Sequence, residues 1–102
     1  MSFFRTLVCL IALALAACQS DQERAAGHLA SGEQALKAEK WDEAVIEYKN
    51  ATQLEPNNAA SHYGLAKAYL GKKEARSAYW ELEETVRLDP SDTQARIDHG
   101  EF

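Results

Sequence analysis

Leu54-Glu55-Pro56 recurs 34 residues later as Leu88-Asp89-Pro90. The same step carries Ala25, Ala26, His28, Leu36, Ala44 and Glu47 onto Ala59, Ala60, His62, Leu70, Ala78 and Glu81. A period of this length constrains the fold strongly. Each unit is one supersecondary motif too small to bury its own apolar face, so neighbouring units must stack into a shared core.

Within each unit the apolar spacing is helical. Trp41, Ala44, Val45, Tyr48 and Ala51 recur at intervals of three and four, as do Ala75, Ala78, Tyr79, Leu82 and Val86, placing each set on one helical face. Pro56 and Pro90 end the helices before them, because proline pushes the preceding residue out of helical geometry. The expected helices are Asp21–Ala38, Trp41–Leu54, Ala59–Leu70, Glu74–Leu88 and Asp92 onward. Asn57, Asn58 and Ser91 offer oxygens as N-caps, Ser91 with Gln94 reads as a capping box, and Gly71 can terminate the third helix. Ala44 and Ala78 fall where paired helices cross, so both should be buried.

The period and its residues resemble the tetratricopeptide (TPR) pattern of W-x₂-L-G-x₂-Y, then A-x₃-F, then P. A first repeat, residues 25–58, supplies His28, Ser31, Gly32, Ala35, Ala44, Tyr48 and Pro56 at those places. A second, 59–92, supplies His62, Leu65, Ala66, Tyr69, Ala78, Leu82 and Pro90, and a third opens over 93–102. The resemblance implies an all-α fold of helix-turn-helix repeats forming a short right-handed α-solenoid. Ser31, Ala35 and Thr85 depart from the pattern, which predicts looser packing in the first hairpin.

The N-terminus carries a different signal. Arg5 and the α-amino group precede an apolar run, Leu7 to Ala17, too short to span a bilayer as a helix. It ends in Leu15-Ala16-Ala17-Cys18, which resembles the bacterial lipobox. By that resemblance residues 1–17 are a signal peptide, Cys18 is acylated, and 18–24 form a lipid-anchored tether. Two or three acyl chains, at ~0.8 kcal/mol per buried CH₂, would hold the protein to the membrane. An ordinary secretory signal cut after Ala17 and an uncut apolar anchor are the competing readings. Gln19 stands where lipoproteins retained in the inner membrane carry aspartate, which favours the outer membrane in a source that has one.

Of the two cysteines only Cys18 would survive cleavage, so the mature chain has no internal disulfide. Sixteen acidic against eleven basic residues give a net charge of −5, and the longest basic stretch is Lys72-Lys73. Such a chain is a poor binder of phosphate backbones, so nucleic acid is not an expected partner. The three histidines, His28, His62 and His99, read as structural or surface residues. There is no HExxH, CxxC, phosphate loop or nucleophile elbow, so no catalytic residue, metal site or cofactor is expected. Glu83 and Glu84 lie four and three residues before Arg87, as on a solvated face.

In the resembled family the first helix of each repeat lines a concave face that takes extended peptides or helices. The matching positions are Leu29, Glu33, Leu36 and Lys37, then Tyr63, Lys67 and Leu70, then Gln94 and Ile97. Two functions follow as expectations. One is an envelope scaffold that binds a protein partner during assembly of a secretion, pilus, outer-membrane or polysaccharide-export complex. The other is the anchored N-terminal part of a longer repeat protein or enzyme. Self-association through the C-terminal helices is also expected if Tyr79, Leu82 and Val86 lack cover.

Overall fold

A computed structural model describes residues 20–101, so the lipobox and Cys18 lie outside the described residues. Among the described residues there are five helices and no strand: α1 (Asp21–Lys37), α2 (Trp41–Leu54), α3 (Ala59–Gly71), α4 (Ala75–Leu88) and α5 (Thr93–Gly100). α1 pairs with α2 and α3 with α4. α3 also packs on α2, and α5 on α4. The first helices, α1, α3 and α5, form one layer of a short α-solenoid, and α2 and α4 form the other.

The helix ends follow local chemistry. Glu55 and Asp89, each preceding a proline, leave helical geometry at φ −132° and −135°, and α2 and α4 stop one residue before them. Asn58 caps α3 by accepting from the Ala60 N–H. α1 starts one turn earlier than its counterpart α3, on Ser20, whose Oγ accepts from the Glu23 N–H.

Two cap assignments are corrected. Ser91 does not cap α5. Asp92 does, accepting from the Ala95 N–H at 3.0 Å, while Ser91 donates to the Asp89 carboxylate and Gln94 reaches Asp98. Aspartate is as good a cap as serine, and here it sits one residue closer to the helix. Gly71 does not terminate α3 either. It is the last helical residue, and the left-handed position is Lys73, at φ 62°. In the first hairpin the same role falls to Glu39, at φ 56°. Both turns close with paired backbone bonds, Lys40 N–H to Ala35 O and Glu74 N–H to Tyr69 O, each at 2.9 Å.

Gly71 is needed for packing. A Cβ there would lie 2.2 Å from the Trp41 ring. Gly32 and Gly64 serve the same purpose, since Cβ atoms on them would come within 2.9 and 2.1 Å of the Tyr48 ring. Tyr48 therefore inserts from α2 into the seam between α1 and α3. Around it lie Ala35, Ala44, Val45, Leu65 and Ala68, with Leu29, Leu36 and Tyr69 packed against them. This core spans the first hairpin and α3, with Gly32 of α1 and Gly64 of α3 admitting the full aromatic ring. Ala44 and Ala78 are fully buried, as expected of crossing points.

Thr85, polar where the repeat pattern favours alanine, is fully buried with its hydroxyl donating to the Glu81 carbonyl at 2.7 Å. Leu82 is also fully buried, and α5, whose Ala95 is fully buried, packs on α4. Tyr79 stacks on His99 with ring centroids 4.8 Å apart. α5 thus covers part of the apolar side of α4, and Tyr79 and Val86 stay half-buried.

Candidate protein-interaction surface

The three first helices place the expected groove residues on one layer, and the residues divide by burial. Leu29 and Leu36 are partly buried and support the core. Glu33, Lys37, Lys67 and Gln94 are exposed, as are Leu70 at 41% and Ile97 at 50%. Solvent thus meets a mixed strip of aliphatic and charged side chains running across α1, α3 and α5.

Tyr63 is tied down rather than free. Its hydroxyl donates to the Asp98 carboxylate at 2.6 Å, which joins α3 to α5 across the layer. Gln94 donates to the other oxygen of Asp98, and the Lys67 ammonium lies 4.8 Å from the centre of the Tyr63 ring. Burial, then the Asp98 carboxylate, raises the Tyr63 hydroxyl well above the usual tyrosine range. At Tyr48, burial with Glu33 nearby pushes the hydroxyl up to about 12. Neither phenol ionises near neutral pH, so Tyr63 at this surface and Tyr48 in the core beneath it are neutral packing groups.

The joint between hairpins carries its own charges. Lys72 Nζ meets Asp42 at 2.8 Å and Glu74 at 3.3 Å, and these two carboxylates raise its ammonium above the ordinary lysine value. Arg87 pairs with Glu84, not with Glu83, and that guanidinium holds Glu84 below its ordinary value.

Sequence reasoning left the histidines without partners, and the structure supplies hydrogen-bond partners for His28 and His62. His28 Nδ1 lies 2.8 Å from Glu47 Oε2, and His62 Nδ1 lies 2.7 Å from Glu81 Oε2. Each pair joins the two helices of one hairpin. The signal was present in the repeat itself, because His28 and Glu47 move together onto His62 and Glu81.

A cleft of about 530 Å³ lies between α1 and α2, lined by Ser31, Gln34, Ala35, Lys40, Glu43 and Ile46 among others. One repeat later, Ser31 and Gln34 become Leu65 and Ala68, which are buried in the core beside α2. The outward positions of the first hairpin are therefore polar where the inward ones of the second are apolar. Among the described residues no group of three or more His, Cys, Asp or Glu is arranged to hold a metal ion. Among them, too, no helix is long and apolar enough to cross a membrane.

Paired helices repeating every 34 residues, with two glycines opening one seam, define a helical-repeat protein of the solenoid class. Residues 32–73, from the middle of α1 to the turn after α3, match the family model of the TPR repeat. The fold of the described residues is that of a short TPR α-solenoid, a repeat that generally mediates binding of protein partners. No curated protein matches the chain.

Proposed function

We propose that the chain is a lipid-anchored interaction scaffold of the bacterial cell envelope. It is held by acylated Cys18, faces the periplasm from the outer membrane where there is one, and serves assembly of a secretion, pilus, outer-membrane or polysaccharide-export complex. The lipobox-like Leu15-Ala16-Ala17-Cys18 supports the anchor. The observation that carries the binding role is the mixed strip on α1, α3 and α5. There Leu70 and Ile97 stand exposed beside Lys37, Lys67 and Glu33, a composition suited to a peptide with both apolar and charged side chains.

The experiment is photo-crosslinking in intact envelopes. Crosslinkers go at Lys37 and Lys67 on the first helices and at Ile46 and Trp80 on the second helices. The reading requires a discrete adduct from the first pair that the second pair does not give. Equal adducts from both pairs, or adducts from Ile46 and Trp80 alone, would move the site off this layer.

A further inference from the structure

His62 is held from two sides. Nδ1 faces Glu81 Oε2 on α4 at 2.7 Å, and Nε2 faces the Pro56 carbonyl oxygen, in the turn between α2 and α3, at 2.7 Å. A neutral imidazole carries one N–H, so its second nitrogen presents a lone pair. Two acceptor oxygens at this distance are both satisfied only by a ring that donates from both nitrogens. Its side chain is 13% exposed and that of Glu81 24%, so water competes weakly for the Glu81 bond, while the bond to the Pro56 carbonyl lies at the surface.

We propose that His62 is carried as the imidazolium and acts as a proton-dependent clasp joining α3, α4 and the turn that connects the two hairpins. The groups acting on the ring are few. Glu81 and Glu84 both come from α4, and Arg87 beside Glu84 offsets part of the latter's charge. From the α2 side comes the Pro56 carbonyl, which does not titrate, and α1 and α5 contribute no group to the ring. Burial opposes the charge, but the Glu81 bond outweighs it, so the ring titrates above its ordinary value of 6.5.

The direction of the pH effect follows. A histidine whose value is raised on folding contributes stability that is fully present below about 6.5 and lost as pH rises through the folded value. The clasp is therefore closed at acidic pH and opens as pH rises through the folded value, which lies above 6.5. Losing the proton breaks one of the two bonds, freeing either the turn or α4 from α3. The first hairpin has no equivalent clasp. His28 keeps its bond to Glu47, but the position corresponding to Pro56 is Gln22, which lies inside α1.

The test is a ¹⁵N titration of the imidazole rings in the full chain, solubilised in detergent, with chemical unfolding followed over the same pH range. Both His62 nitrogens should show imidazolium shifts at pH 6.5, with a midpoint above 6.5, and the unfolding midpoint should fall as pH rises through it. In Glu81→Gln the titration midpoint should move down, and in His62→Asn that fall in stability should disappear. A variant that fails to fold is read through the wild-type ring shifts alone. A neutral His62 tautomer at pH 6.5, or an unchanged pH dependence in a folded His62→Asn, would overturn the proposal.

Discussion

His62 and Glu81 meet at 2.7 Å, and 34 residues earlier His28 and Glu47 meet at 2.8 Å, so each hairpin carries the same bond between its two helices. The environments differ. The His62 and Glu81 side chains are 13% and 24% exposed, against 34% and 31% for His28 and Glu47. Double-mutant cycles with His→Asn and Glu→Gln at pH 6 should give a coupling of ~1–2 kcal/mol for the second pair. The first pair should couple by under about 1 kcal/mol, nearer the range of exposed pairs. Equal couplings would mean that burial does not govern these bonds.

Gly64 is where Tyr48 crosses the seam between α1 and α3, and an added Cβ would lie 2.1 Å from the ring. Gly64→Ala should therefore cost ~1–3 kcal/mol through overpacking, despite alanine's better helix propensity. Combined with Tyr48→Leu, which removes the ring, the same change should cost much less than it does alone. Denaturant unfolding of the four chains checks this, and strict additivity would contradict the account.

Ser61 is fully buried in α3, and its hydroxyl has no hydrogen-bond partner. An unpaired buried hydroxyl is costly, and serine is also a weaker helix former than alanine. Ser61→Ala should raise stability by about 1 kcal/mol in thermal or chemical unfolding. A loss of stability would show that the hydroxyl is satisfied in solution.

Glu39 and Lys73 occupy left-handed backbone at the ends of α1 and α3, and both side chains are exposed. That conformation costs a residue with a Cβ roughly 1–2 kcal/mol, part of which glycine gives back through its freer unfolded chain. Glu39→Gly and Lys73→Gly should each stabilise by ~0.5–1 kcal/mol, and the two gains should add. Melting of the single and double variants tests both statements.

What the sequence made legible was what local chemistry and period determine. The prolines fixed the ends of α2 and α4, the apolar spacing fixed the helical faces, and the period picked out Ala44 and Ala78 as crossing points. Caps were less legible, because Ser91 and Asp92 are both good candidates and a glycine such as Gly71 can serve a turn or a close approach. Contacts across the layers were harder still. The Tyr63–Asp98 bond spans 35 residues and two repeats, and the place of Tyr48 depends on glycines in two different helices. For the candidate surface, the helices that present it were readable, but not the fact that Tyr63 is engaged and Leu29 and Leu36 lean into the core.

That Tyr63 is engaged changes how the surface must be probed. Tyr63→Ala would also remove the link from α3 to α5, so any loss of partner binding would mix recognition with packing. Lys67→Glu and Leu70→Asp alter exposed side chains and leave that bond in place. Together they should weaken partner capture about tenfold or more, as loss of a charged and an apolar anchor implies, with the helical signal unchanged. Capture equal to wild type would exclude α3 as the contact.

A binding surface tethered to a membrane through Cys18 is tested most directly by the mass of the N-terminal peptide from native protein. The predicted peptide begins at Cys18 and carries a diacylglycerol thioether, with a further acyl group on its amino nitrogen where the source adds one. Cys18→Ser should abolish that species and leave unprocessed or misprocessed chain. A native peptide that begins at Cys18 with a free thiol, or one that retains residues 1–17, would contradict the claim.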